Sequence, residues 1–133
     1  MRVSEVMHTG VRTVGADESV GEAIALLAEE HISGVPVLDR HGKLVGVVSN
    51  SDILEEIAEH TDPEARESIF DSTPVRDIMT TNAQTIGANA TVKDAAQRML
   101  YLEVHRLFVE EDGKLLGVVS TTDLVRALAG TKV

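Results

Sequence analysis

The chain repeats itself, and that repeat constrains its fold more than any other property of the sequence. Val3-Ser4-Glu5-Val6-Met7 returns 72 residues later as Val75-Arg76-Asp77-Ile78-Met79, and Val14-Gly15-Ala16 returns at the same spacing as Ile86-Gly87-Ala88. Farther on, Gly42-Lys43-Leu44-Val45-Gly46-Val47-Val48-Ser49-Asn50-Ser51-Asp52 matches Gly113-Lys114-Leu115-Leu116-Gly117-Val118-Val119-Ser120-Thr121-Thr122-Asp123 at eight of eleven positions, now 71 residues apart. One residue is missing from the second copy, and a turn around Arg40-His41 would tolerate the loss. The copies span 1–60 and 75–133, joined by 61–74. A single unit of that size is marginal on its own, so two copies are expected to share a core.

Each copy carries the same succession of patterns. Val20, Ala23, Ile24, Leu27 and Ala28 fall at helical spacing behind Ser19-Val20-Gly21-Glu22, which has the form of a capping box. Val92, Ala95, Ala96, Met99 and Leu100 do the same behind Thr91. Two β-branched runs across a Gly-containing turn then predict a hairpin: Val35 to Leu38 with Leu44 to Val48, and Leu107 to Val109 with Leu115 to Val119. A second helix is expected from Asp52 to about Glu59, and from Asp123 to about Ala129. Extended segments at Val11 to Val14 and Ala83 to Ile86 precede each copy's first helix. In the linker, Asp62-Pro63 reads as an N-cap with proline at the first helical position, giving a short helix to about Phe70 that Asp71-Ser72-Thr73-Pro74 ends. The fold class is mixed α/β (α+β).

Composition removes several functions. Twelve basic against twenty-two acidic residues leave a net charge of −10, which repels phosphate backbones, and there is no basic recognition stripe. Phe70, Tyr101 and Phe108 are the only aromatics, too few for a stacking platform on single-stranded nucleic acid. Without cysteine there is no disulfide, thiolate metal site or cysteine nucleophile. The five histidines form no His-x-x-x-His pattern, and neither a P-loop, a dinucleotide fingerprint nor Gly-x-Ser-x-Gly occurs. No enzyme is expected, and no catalytic cofactor or metal site. No apolar run reaches 18 residues and Met1 to Glu5 leads into no apolar signal region, so a soluble, cytoplasmic protein without membrane contact is expected.

The remaining chemistry lies at the ends of the second hairpin strands. Ser49 with Asp52, and Ser120 with Asp123, place a carboxylate and a hydroxyl where a strand runs into a helix. A carboxylate there can accept from both hydroxyls of a ribose, and the helix start offers amide donors to an anion. The competing reading is structural: Asp at a helix start is an ordinary N-cap, and Glu55 three residues beyond Asp52 completes that pattern. His105-Arg106 replaces the small Ser33-Gly34 of the first copy with a planar donor fork beside a titratable ring, suited to phosphate. The alternative is a surface pair of Arg106 with Glu103 or Glu110. Arg12 is either a phosphate contact or a solvated side chain.

These motifs resemble the CBS domain, and the chain resembles a tandem pair of them. The resemblance rests on Val6-Met7 and Ile78-Met79, on Ser33-Gly34-Val35-Pro36-Val37-Leu38-Asp39, and above all on Gly46 to Asp52 and Gly117 to Asp123. It implies two pseudo-symmetric β-α-β-β-α repeats packed face to face through their sheets, with clefts between them for adenosine compounds: AMP, ADP, ATP or S-adenosylmethionine. The implied main cleft takes Ser120, Thr121, Thr122, Asp123, Val118, His105 and Arg106, with Thr9, Val11, Arg12, Ser33 and Gly34 facing them. The second, weaker cleft takes Ser49, Asn50, Ser51, Asp52, Val47, Pro36, Thr80, Ala83 and Gln84. In this scheme the Thr9 and Thr80 stretches offer backbone groups to the adenine edge, and Val47 and Val118 wall the ring. The resemblance further implies a homodimer, an adenine nucleotide as regulatory ligand with magnesium as an accompanying ion, and an unidentified regulated protein. Two alternatives differ in class: a constitutive dimerisation and protein-interaction module with empty clefts, and a magnesium sensor using acidic faces.

Overall fold

The computed structural model describes residues 1–131. The main helix of each copy opens at the hydroxyl side chain its sequence supplies. Ser19 Oγ accepts from the Glu22 amide ahead of α2 (Val20–Glu30), and Thr91 Oγ1 accepts from the Asp94 amide ahead of α5 (Val92–Leu102). Each hydroxyl satisfies an amide that the first turn leaves without an intrahelical partner. Both helices stop at a left-handed residue, His31 (φ 53°) and Glu103 (φ 57°), which turns the chain toward the middle strand of a sheet.

There are two three-stranded sheets of identical topology. In the first, β2 (Gly34–Leu38) lies between β1 (Val14–Gly15), parallel to it, and β3 (Leu44–Ser49), antiparallel to it. In the second, β5 (Arg106–Glu111) lies between β4 (Thr85–Ile86) and β6 (Lys114–Ser120) in the same senses. The middle strands are buried at consecutive positions, Val35 to Val37 and Leu107 to Val109, so both faces of each sheet are covered. Pro36 has no amide hydrogen to give, and it sits where β1, which reaches only Val37 and Leu38, does not extend. The second hairpin turns on Asp112 and Gly113, both at positive φ, as a two-residue turn matching the strand twist requires. In the first hairpin, Asp39 Oδ1 instead accepts from the amides of His41 and Lys43 in a longer loop. The length difference between the copies is absorbed in this turn.

The second helix of each copy is α3 (Asn50–Glu59) or α6 (Thr121–Thr131), and α4 (Pro63–Ser72) fills the linker behind the expected Asp62 cap. Two short elements escape sequence periodicity: α1 (Val3–Val6) and a 3-10 turn at Val75–Asp77. In space the chain forms two compact units that cut across the sequence copies. One is Arg12–Ala83; the other joins Met1–Val11 to the chain from Gln84 onward. In the first, Val14, Val20, Leu27, Val35, Val37, Val48, Ile53 and Val75 form the core. In the second, Val3 packs with Ala95, Met99, Leu107, Val109, Val119 and Leu124, and its amide bonds to Ala90 O.

Candidate functional site

Within each unit, a strap of backbone that follows a Val/Ile-Met pair lies against the last strand of the hairpin. His8 exchanges two backbone hydrogen bonds with Val118 (2.9 and 3.0 Å), and Thr80 exchanges two with Val47 (2.9 and 2.8 Å). Glycine makes room for both straps. A Cβ on Gly117 would stand 2.4 Å from His8 O, and one on Gly46 would stand 2.6 Å from Thr80 O. The repeated Gly-Val-Val-Ser and Val/Ile-Met motifs are therefore two halves of one device.

The strap delivers a side chain to the candidate carboxylate, whose two oxygens have separate tasks. Asp52 Oδ2 accepts from the Ser49 amide (2.8 Å) and Oγ–H (2.9 Å), while the Asp52 amide donates to Ser49 Oγ (3.3 Å). Ser49 is thus the N-cap and Asp52 the third helical residue of a reciprocal box, which corrects the expectation that Asp52 itself caps the helix with Glu55. β3 runs through Ser49 and α3 follows at once at Asn50, two residues before the expected start at Asp52. Asp123 Oδ2 has the same bonds to Ser120, at 2.8 and 2.9 Å. Oδ1 is left for something else: Thr80 Oγ1–H donates to Asp52 Oδ1 at 3.0 Å, and His8 Nε2 lies 2.7 Å from Asp123 Oδ1. Because an ionised carboxylate only accepts, Nε2 of His8 carries the proton in this pair.

Asp123 is 5% exposed, the one buried charged side chain among the described residues, whereas Asp52 is half-buried. Burial alone would raise the Asp123 carboxyl pKa, but the Ser120 amide and hydroxyl, followed by His8, outweigh it and hold the group below the ordinary value of 3.8. Arg126 Nη1 adds a more distant positive charge at 3.6 Å. A depressed folded-state pKa means stabilisation that is full above the unfolded value and lost as pH falls through the folded one. Asp123→Asn should therefore cost stability at pH 7 and progressively less below about pH 4. Urea unfolding of both proteins across that range checks this; a pH-independent gap would show that the carboxylate charge is not what these donors hold.

The other candidates gather around this geometry unevenly. Thr121 and Thr122 occupy the first turn of α6, and the Thr121 amide donates to His105 O (3.0 Å). Arg106, exposed at the start of β5, pairs across the ladder with Ser120. Among the described residues it has no carboxylate within salt-bridge distance, Glu103 and Glu110 included. Exposed Thr9 and half-buried Val11 continue the strap in the same unit. Arg12, Ser33 and Gly34 belong to the Asp52 unit. Arg12 pairs with Glu30 (2.5 Å), Ser33 O accepts from the Asn50 amide, and Gly34 lies opposite Ser49. Asn50 and Ser51 are exposed in the first turn of α3, and Pro36 is buried opposite Val47. Ala83 ends the Asp52 unit, whereas Gln84 belongs to the Asp123 unit, where its carbonyl accepts from Phe108. The physical reason is the strap: each carboxylate recruits the segment that precedes the other copy. Sequence reasoning missed His8, although the 72-residue spacing that aligns it with Thr80 was the signal available.

Among the described residues no group of three His, Asp or Glu side chains could hold a metal ion, and no helix is long and apolar enough to cross a membrane. The CBS domain family matches residues 3–59 and 75–130. An uncharacterised protein of Methanocaldococcus jannaschii is 30% identical over 154 residues, covering 96% of this chain and 91% of its own. Among solved structures, Arabidopsis thaliana CBSX2 in complex with AMP superposes with a TM-score of 0.81 at 32% identity, covering 99% of this chain and 98% of that one. The CBS domain pair of another protein, MJ0100, in complex with 5′-methylthioadenosine and S-adenosyl-L-methionine, gives 0.75 at 25% identity and covers 98% of both chains.

Proposed function

The chain belongs to the CBS domain family and carries the domain twice, and from that premise we propose that it is a regulatory module that binds an adenosine-containing nucleotide and reports its level to a partner protein. One observation carries the reading. In both units an aspartate beside a helix start uses Oδ2 to cap the helix, and presents Oδ1 to a donor brought in by a separate strap. Two ribose hydroxyls are donors of the kind that Oδ1 accepts. The AMP complex of CBSX2, similar over its whole length, supports the same ligand class here.

In this reading Asp123 and Asp52 are the ribose acceptors, Ser120 and Ser49 hold them, and Val118 and Val47 wall the base. Thr9 with Val11, and Thr80 with Ala83, border the adenine edge. His105 and Arg106, both exposed beside Ser120 and Thr121, receive the phosphates of a ligand at Asp123, with Arg106 in no ion pair among the described residues. Ser33 and Gly34 hold the corresponding place beside Ser49 and supply no charge, so phosphates are favoured on the Asp123 side. A cytoplasmic homodimer is part of the proposal. Leu54 on α3 (65% exposed) and Val125 and Leu128 on α6 (66% and 56%) are large apolar side chains that a second copy would cover. The same residues favour the second reading, a constitutive interaction module whose clefts stay empty.

A thermal-denaturation panel with AMP, ADP, ATP, S-adenosylmethionine and magnesium separates the two. A ligand at a hundred times its Kd stabilises by about 2.7 kcal/mol. The expected result is a shift with at least one adenosine compound that shrinks in Asp123→Asn or Asp52→Asn. A flat panel would turn the assignment to the interaction module, and a shift with magnesium alone would turn it to ion sensing.

A further inference from the structure

The two Oδ1 oxygens are not equally available: the hydrogen-bond donor differs at one repeat position, and Arg126 Nη1 lies 3.6 Å from Asp123 Oδ1. We infer that His8 is an internal occupant of the Asp123 site, a latch that a ribose hydroxyl has to displace; this rests on the nucleotide reading above. His8 and Thr80 stand at the same place in the repeat, each on a strap held by the same pair of backbone bonds to Val118 or Val47. The backbone thus presents both side chains alike, and only the chemistry of the donor differs.

At Asp52 the donor is a threonine hydroxyl, 3.0 Å away, on an exposed residue over a half-buried carboxylate. A hydroxyl both donates and accepts, so Thr80 can turn and bond to an incoming ribose without leaving its place. At Asp123 the donor is an imidazole N–H 2.7 Å away over a carboxylate with 4% side-chain exposure. A bond of that length to a buried anion is of the stronger, charge-assisted kind. A donating Nε2 offers the ribose no acceptor, so it has to leave before Oδ1 can accept a hydroxyl. His8 has somewhere to go, since its side chain is 64% exposed, and the strap backbone need not move with it. The latch also spans 115 residues of sequence, tying the N-terminal strap to α6 while the site is empty.

Calorimetric titration of AMP into the full chain tests this, with Asp52→Asn and Asp123→Asn used to assign each binding event to its site. His8→Thr should tighten the Asp123 site about tenfold, because a hydroxyl can turn to accept from the ribose where the imidazole N–H has to leave. Thr80→His should weaken the Asp52 site by a similar factor. Removal of a merely structural contact does not raise affinity, so tightening in His8→Thr identifies the latch. Affinities unchanged within about twofold, or weaker binding in His8→Thr, overturn the latch while leaving the nucleotide reading intact. A titration without heat in the parent chain and in every variant overturns the nucleotide reading and the latch with it.

Discussion

Leu107→Ala should lower the stability of the Asp123 unit by about 2–5 kcal/mol, the range for emptying a fully buried leucine site. Leu107 has no exposed surface. It sits on the middle strand β5 opposite Val119, inside the cluster that also holds Val3, Ala95, Met99 and Leu124. That cluster closes around it completely, so the surroundings have little freedom to collapse into the space. The repeat supplies the control. Val35 occupies the matching position on β2, opposite Val48 and equally buried, so Leu107→Val installs what the other copy already uses and should cost about 1 kcal/mol. Urea unfolding followed by circular dichroism measures both. Thermal unfolding of the alanine variant should fall by roughly 10 °C. A loss below about 1 kcal/mol for alanine would contradict the placement of Leu107 at the centre of that core.

The leucine lies in a part of the fold that was legible in the sequence, and other parts were not, for physical reasons. Helices α2 and α5 announced themselves through eleven-residue periodic faces behind Ser19 and Thr91, and α4 through Asp62-Pro63. The hairpins followed from paired β-branched runs. Each of these signals is local, set by neighbours a few residues apart. α1 spans four residues, too few for any period to show. The division into units was hidden because it depends on bonds such as Val3 to Ala90 and His8 to Val118, which no local pattern encodes.

The site divides in the same way. Asp52 and Asp123 were legible because hydroxyl, spacing and helix start sit together in one motif. That motif did not tell capping from ligand binding; in the structure Oδ2 closes the capping box with the serine, and Oδ1 accepts from Thr80 or His8. Serine and aspartate are both good caps, so only the length of β3 decides which of them ends outside the helix. His8 carries its meaning only through a contact 115 residues away. Nor does a linear motif reveal which strap crosses to which strand, as His8 does to Val118 and Thr80 to Val47.

Gly117→Ala should therefore do more damage than a single methyl group normally does, because it disables the strap on which the candidate site depends. The added Cβ would meet His8 O at 2.4 Å and Met7 Sδ at 3.1 Å. Met7 can shift its flexible side chain, but the carbonyl belongs to a backbone held by two hydrogen bonds to Val118 and cannot retreat without breaking them. A cost of about 1–3 kcal/mol follows from such overpacking. The amides of His8 and Val118, paired in the native state, should exchange faster with solvent relative to the rest of the unit. With the strap displaced, His8 loses its hold on Asp123, so the acid-side contribution of that carboxylate should shrink as well. Gly87→Ala is the comparison: its Cβ would meet only Glu111 Oε1, at 3.4 Å, an ordinary contact that leaves that oxygen's bond to the Ala88 amide in place. Gly46→Ala should repeat the effect in the Asp52 unit, where Thr80 O lies 2.6 Å from the new atom. If Gly117→Ala proved as mild as Gly87→Ala, with His8 still protected from exchange, the strap would be looser than its hydrogen bonds indicate. The reason for glycine at this point of both copies would then have to lie elsewhere. If instead exchange rises at His8 and Val118 alone, the glycine is there to let one segment of backbone lie against another, which is how a motif on β6 brings a side chain from the N-terminal strap to the carboxylate at the start of α6.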